Sequence, residues 1–430
     1  MNIHEGFTGL SETLCFAHIK DDALADLVRR EVDERVCSYC GRKAEEGEAP
    51  FAVSMDAVGR VVLDAASWLY HDGYDEFFHE GWPEQHTTDH VIDEVAYGSF
   101  DKSVSDAVLA HISDAIDKPE AWVDSRLQED FLMSWESFAD IVKHKSRFVY
   151  IGARERPNRS KEAPALVSNF LDGLAAYVNE DMLMSIEPGE KLYRARMAED
   201  GFSLSRTASS DPAKHLGPAP AGKASAGRLN PEGVGLFYGA TTVSVAVKET
   251  ALHSPHDDAV VGAFRVGLPL QILDFTKRPA PPSIFDQGKR QEFVFAKFAD
   301  DFEERLTRTV RLSGAERVEY VVTQVIGEYF RWAPELKLDG IAWKSHLLSE
   351  GEEGKNVLVW ASAEDVRSDP PPLDEDPHVS ARWERTVPRP TPTLTLSPRD
   401  VTVHRAKRVV EVSDPMLSGD DDSDPIFMDY

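Results

Sequence analysis

Tyr193, Arg194, Arg196, Arg228, Tyr238 and Glu249 are concentrated in residues 191–249 of a 430-residue chain whose formal net charge is −28. Guanidinium groups kept against so acidic a background point to a local anion site, because their planar fork pairs with carboxylate or phosphate oxygens. Arg228 stands in Gly227-Arg228-Leu229-Asn230-Pro231-Glu232-Gly233, where glycine and proline force a turn and leave backbone open to a ligand. Gly235-Leu236-Phe237-Tyr238 reads as a short buried strand. Val243–Ala251 has apolar residues at helical spacing, with Glu249 near the end. A strand carrying a tyrosine, followed by a helix with a carboxylate eleven positions on, can present both at one cleft. Each residue alone has a plainer reading as a surface arginine, a solvated glutamate or a simple turn. Arg196, Lys223 and His253 are read as structural or rim charges.

The ordered set resembles the RES domain, a family named for an arginine, a glutamate and a serine. Its members act as NAD-consuming toxins of bacterial toxin–antitoxin systems. Leu192-Tyr193-Arg194 matches the family's opening strand, Gly227–Asn230 its Gly-Arg-x-Asn turn, Tyr238 its strand tyrosine and Glu249 its helix glutamate. Tyr320 to Tyr329 resembles the later helix, Asp339 to Ser345 the strand ending in the serine, and Lys355 to Val359 the closing strand. Leu229 is a departure, standing where many members carry tryptophan. The resemblance spans residues 186–362. It implies a fold like that of ADP-ribosyltransferases, with a split, curved sheet gripping NAD.

That family chemistry assigns roles. Cleaving the nicotinamide–ribose bond develops positive, oxocarbenium-like charge on the sugar. Glu249 is the carboxylate to stabilise it or to orient the attacking water or phosphate. Arg194 and Arg228 are the cations for the pyrophosphate. Tyr238 is placed to stack on or hydrogen-bond the nicotinamide riboside, and Ser345 to anchor a phosphate or ribose oxygen. Tyr193 joins the substrate-binding set. No metal is required for this step.

The elements that must position these groups suggest an α+β chain. Residues 1–155 are mostly helical, with amphipathic stretches at Asp21–Val36, Met55–Tyr70, Val104–Ile116 and Leu127–Val142, and with Trp135 and Phe138 in the core. This half resembles the HEPN-type N-terminal domain found fused to RES domains. The Arg-x4–6-His motif of HEPN ribonucleases is not found, and His144 and Arg147 stand in the reverse order. Residues 156–185 are expected to link the halves, with a helix from Ala165 to Met184 ended by Pro188-Gly189. In the RES-like part, strands are expected at Ala259–Val266, Leu270–Phe275, Gly340–Lys344 and Asn356–Ala361, and helices at Gln291–Arg305 and Glu316–Trp332. Residues 363–430 read as a proline-rich, acidic tail, either disordered and solubilising or partner-binding or self-inhibitory through Ile426, Phe427 and Tyr430. Alternation within Thr393–Val412 admits a strand pair there.

Cys37-Ser38-Tyr39-Cys40-Gly41 suits a zinc knuckle, since such a turn aims two thiolates at one metal. Structural zinc takes four ligands. Cys15, His18, His71 and His79 are the candidates to complete the set, and spacing selects none of them. A tight turn with two half-buried thiols is the alternative.

Other functions are disfavoured. Gly217 to Ala224 nearly spells a phosphate-binding P-loop, but Ala224 replaces the magnesium-binding hydroxyl. Pro218 and Pro220 also remove backbone donors. No G-x-G-x-x-G joins a strand to a helix, so a dehydrogenase-like NAD site is not expected. The negative charge opposes DNA or RNA binding. The absence of a long apolar run or signal peptide, with three cysteines, leads us to expect a cytoplasmic protein that does not span a membrane. The leading expectation is an NAD-degrading toxin, acting by hydrolysis or phosphorolysis and held by a cognate antitoxin or by its own helical half. An ADP-ribosyltransferase acting on a macromolecule and a non-enzymatic interaction protein are the alternatives.

Overall fold

The computed structural model describes residues 9–72, 85–116, 122–124, 135–146, 163–252, 254–307, 316–332, 336–349, 351–370 and 390–407. His79, Arg147, His253, Ile426, Phe427 and Tyr430 lie outside them.

The N-terminal unit is built from β1 (Thr13–Cys15), α1 (Asp22–Val28), β2 (Ala52–Ser54), α2 (Met55–Leu69), β3 (Tyr70–Asp72), α3 (Thr88–Ala96), α4 (Ser105–Asp114) and β4 (Trp122–Asp124). Strands β1–β2 and β3–β4 form two small antiparallel pairs. Side chains cap the helices: Asp21 accepts from Leu24 N, Ser54 from Ala57 N and Thr87 from His90 N. The sequence suggests a helix to Val36, yet α1 stops at Val28 and a 3₁₀ turn closes it at Glu31. Beyond it the backbone finds other partners, Glu34 bridging to Ala52 and Val36 to Lys43. The apolar faces of α1 to α4 meet in one core around Leu24, Val58, Val62, Ile92, Val108 and Ile112.

The second unit begins with helical segments α5 (Trp135–Asp140), extended by a π turn to Lys145, and α6 (Ala163–Tyr177). Trp135 and Phe138 are buried, as their spacing suggests. The helix expected to reach Met184 ends at Tyr177. Leu183–Ile186 is instead strand β5, paired antiparallel with β9 (Leu270–Asp274) at the sheet edge. Asn179 starts the change of direction, its side chain accepting from the Asp181 and Met182 N–H groups. The chain continues through β6 (Lys191–Ala198), α7 (Gly201–Ala208), α8 (Pro212–Leu216), β7 (Phe237–Ala240), α9 (Val243–Ala251), β8 (Asp258–Val266) and β9. After these come α10 (Arg290–Thr307), α11 (Glu316–Trp332), β10 (Gly340–Lys344), β11 (Lys355–Val359), β12 (Val366–Ser368), β13 (Leu394–Leu396) and β14 (Val401–Arg405).

Ten strands form one mixed sheet in the order β12-β13-β8-β6-β7-β11-β10-β9-β5, with β14 also on β8. Among the described residues, only the β9–β10 and β12–β13 pairs are parallel. The architecture is α+β, as expected. The reading of 363–430 as a tail is corrected over Val366–Ser368, Leu394–Leu396 and Val401–Arg405, which are sheet strands, the last two within the stretch whose alternation admits a strand pair. Strand β8 would otherwise expose its outer edge; β13 and β14 lie end to end along it. Asp400, between them, accepts from Lys191 Nζ at 3.0 Å and pairs with Arg265 at 3.3 Å.

Alternation along the strands supplies both faces of the sheet. Leu273, Ile341 and Leu358 meet an aromatic layer from α5, α6, α10 and α11, including Phe138, Phe170, Phe298, Phe302 and Phe330. Ile272, Ala342 and Val357 pack on the other face with Leu192, Phe237, Phe264 and Leu216. The two units share structure: Ile284 and Phe285 enter the N-terminal core. Arg290 pairs with Asp64 at 2.6 Å, and Ser283 Oγ donates to Asp21 Oδ1 at 2.9 Å.

Candidate active site

The Gly-Arg-Leu-Asn turn is held from several sides. Gly227 N–H donates to Asn230 O at 2.9 Å. The buried Asn230 side chain donates to the carbonyls of Ser225, Pro231 and Val234 at 3.0, 3.2 and 2.8 Å. Its Oδ1 accepts the Tyr238 hydroxyl at 2.8 Å, and that hydroxyl accepts Leu229 N–H at 3.0 Å. Burial pushes the Tyr238 phenol well above its ordinary pKa, so it stays a donor at any physiological pH. From α11, Gln324 Nε2 donates to the carbonyls of Gly227 and Asn230 at 2.8 and 2.9 Å, and Thr323 Oγ1 donates to Arg228 O. Leu229 is buried against α11, where a Cβ on Gly327 would meet its side chain at 2.9 Å. Leu229 is therefore a core anchor. Gly227 has to be glycine, because a Cβ there would stand 2.3 Å from Asn230 Oδ1.

Helix α9 sets the carboxylate. Thr242 caps it, accepting from Val245 N at 3.3 Å. Val245 and Ala246 pack on Ala195, Ala240 and Val261 of the sheet. Glu249 follows them at i+4 and i+3, so it shares the sheet-facing stripe. Its Oε1 accepts Ser345 Oγ at 2.6 Å and Asn356 Nδ2 at 2.7 Å. Oε2 has no hydrogen-bond partner among the described residues. Ser345 is buried just beyond β10, and Asn356 is the second residue of β11. Lys248 ties the intervening loop to α9 through the Leu347 carbonyl at 3.1 Å and through Glu352. Gly354, at φ +148°, lets that loop cross Thr242 and Val245 where a Cβ would clash.

Strand β6 contributes Tyr193 and Arg194 on opposite faces. Tyr193 lies with Ala195 towards α9. Arg194 Nη1 donates to the carbonyls of Leu216 and Gly217 at 2.6 and 2.9 Å. Burial, and then the neighbouring Arg196, lower its pKa to about 10, which leaves it charged at neutral pH. It has no carboxylate partner among the described residues, and neither has Arg228. The segment resembling a P-loop therefore begins by turning carbonyls towards a guanidinium, the opposite of a phosphate cradle. Arg196 is exposed and donates to His215 O at 3.1 Å; Lys223 is exposed in a turn.

Tyr193, Arg194, Arg228, Tyr238 and Glu249 line one cavity of about 440 Å³. Ser345 stands behind Glu249 rather than on the cavity wall. Sequence reasoning assigned no role to Asn356 or Trp343, which also line this space. Asn356 is a polar residue opening an apolar strand, and that was its only signal. Trp343 is buried, and its indole N–H has no partner among the described residues.

Residues 191–384 match the RES domain, and residues 30–155 match HEPN/RES N-terminal domain 1. The chain carries a RES domain behind a HEPN/RES-type N-terminal domain. Comparison with curated proteins and with solved structures finds no match. The RES match ends at 384, beyond the boundary at 362 taken from the sequence. Among the described residues, no helix is long and apolar enough to cross a membrane.

Proposed function

We propose that this RES-domain protein cleaves the nicotinamide–ribose bond of NAD+, with water or phosphate as acceptor, and that it acts as the toxin of a toxin–antitoxin pair. The observation that carries this reading is the Glu249 carboxylate. It is held through one oxygen by Ser345 and Asn356 and lines a cavity that also holds two guanidinium groups without carboxylate partners among the described residues. As the bond from ribose C1′ to the ring nitrogen breaks, its electron pair discharges the pyridinium and positive charge develops on the ribose. A carboxylate whose second oxygen has no donor among the described residues stabilises that charge and orients the acceptor oxygen. Formation of the new C1′–O bond releases a proton from water, or from dihydrogen phosphate, to solvent.

Arg194 and Arg228 are the anchors for the pyrophosphate. The Arg194 plane is set in advance by its two carbonyl contacts, so little side-chain freedom is lost on binding. A cavity of about 440 Å³ falls within the size of small-molecule sites, roughly 300–1,000 Å³. The test is nicotinamide release from NAD+ by the purified protein, with and without inorganic phosphate, beside Glu249→Ala. Release that needs phosphate and is lost in the variant establishes phosphorolysis; phosphate-independent release lost in the variant establishes hydrolysis. A folded protein that releases none, or releases it only when a protein acceptor is added, overturns the reading.

A further inference from the structure

Four potential metal ligands converge in the N-terminal unit, far from the cavity in sequence. Ligand atoms of Cys15, His18, Cys37 and Cys40 all lie within 4.8 Å of one another. Cys15 Sγ and Cys40 Sγ are 4.0 Å apart. Zinc–sulfur bonds of ~2.3 Å in a tetrahedron put sulfurs about 3.8 Å from each other, so the pair is close to that spacing. A disulfide would need roughly 2.05 Å. A separate observation points the same way. His18 Nε2 is buried and has no hydrogen-bond partner among the described residues, a costly state for an imidazole nitrogen unless something else takes its lone pair or proton.

We propose that Cys15, His18, Cys37 and Cys40 form a structural zinc site of the Cys3His type. Its two halves have matching spacing, Cys15-x2-His18 and Cys37-x2-Cys40, separated by 18 residues. A search for a second Cys-x2-Cys pair passes over the first half because histidine stands in its fourth place. Backbone geometry shapes the knuckle. Cys37 O accepts Gly41 N–H at 2.9 Å, and Gly41 adopts φ +70° with open space around it. The two arms are already laced together, Ser38 N–H to Thr13 O at 2.9 Å and Thr13 N–H to Ser38 Oγ at 2.9 Å. All four positions being protein side chains, the site has no open coordination place for substrate, which marks it as structural.

The location gives the metal its consequence. Tyr39, inside the knuckle, meets His111 Nδ1 of α4 at 2.8 Å. Asp21, three residues after His18, caps α1 and also accepts Ser283 Oγ from the RES domain. Zinc thereby fastens the N-terminal strand to the helical unit and steadies the segment that touches the RES domain. Cys15 and His18 precede the matched N-terminal domain, which begins at residue 30.

The experiment is metal analysis of the full-length protein, followed by removal with a chelator and titration with Zn2+ or Co2+ alone. The expected result is one zinc per chain, and a cobalt form with tetrahedral ligand-field bands and thiolate charge transfer. Chelation should lower the melting temperature, and zinc should restore it. Cys40→Ser and His18→Ala should each weaken metal uptake at least tenfold. The cobalt spectrum of the unsubstituted protein is decisive, since it does not depend on the folding of any variant. An apo protein that binds neither ion, three freely titrating thiols in the folded protein at saturating zinc, or a Cys15–Cys40 disulfide would overturn the proposal.

Discussion

Tyr238→Phe separates two roles for one hydroxyl. The structure has it both donating to Asn230 Oδ1 and accepting Leu229 N–H. Phenylalanine keeps the ring and its packing while orphaning one buried acceptor and one buried donor. Each orphaned group costs about 1–3 kcal/mol, against a net worth near 1 kcal/mol for an ordinary hydrogen bond. The expected destabilisation is therefore about 2–4 kcal/mol. For a domain of this size, 1 kcal/mol moves Tm by about 2–4 °C, so the melting temperature should fall by about 4–16 °C. Asn230 keeps its three Nδ2 bonds, and Gln324 still holds the two carbonyls, so the turn loosens rather than unfolds. Hydrogen exchange on the peptide carrying Leu229 should accelerate at least tenfold, since that amide loses its acceptor. Thermal melting and exchange mass spectrometry read both effects without substrate. Unchanged melting and exchange, together with a large fall in NAD+ turnover, would refute the lock and assign the hydroxyl to the reaction instead.

Glu249→Gln should lower NAD+ cleavage at least 100-fold with the fold retained, because the amide keeps the shape but loses the charge; circular dichroism and nicotinamide release check both halves. Ser345→Ala and Asn356→Ala should each reduce kcat about tenfold. Their double variant should lose less than the product, because both act through the same carboxylate oxygen. Lys355→Met leaves the fully buried Asp274 without the cation it meets at 2.5 Å; urea unfolding should show a loss of about 3 kcal/mol. Asp258 is held below the usual carboxylate range by the Gly201 N–H and by Arg405. Its contribution to stability is present above the unfolded carboxylate pKa and lost as pH falls through the folded one. Melting curves between about pH 5 and pH 2 should flatten in Asp258→Asn.

The site also divides labour in a way that the motif alone does not suggest. Within Gly227–Asn230, the arginine is left without a carboxylate partner among the described residues. The glycine, leucine and asparagine all serve the turn's own geometry, with Tyr238, Thr323 and Gln324 as outside braces. Much of what makes the motif recognisable is thus the cost of holding one guanidinium in place.

Local pattern carried a good part of this in the sequence. The apolar stripe of Val243–Ala251 and the turn chemistry of Gly227–Gly233 depend on neighbours a few residues away, so both were legible, as was the RES family itself. Partners brought together from separate segments of the chain were not. Nothing local says that Asn356 meets Glu249, or that Cys15 and His18 close around Cys37 and Cys40. These pairings are decided by strand order, which sets β11 beside β7 and β10, and by the β1–β2 pair. The C-terminal strands were legible only in part: alternation within Thr393–Val412 admitted a strand pair, but Leu394–Leu396 and Val401–Arg405 are short and set among prolines and charge. Only the unpaired edge of β8 makes them strands, because a sheet edge satisfies backbone groups that no local composition reveals.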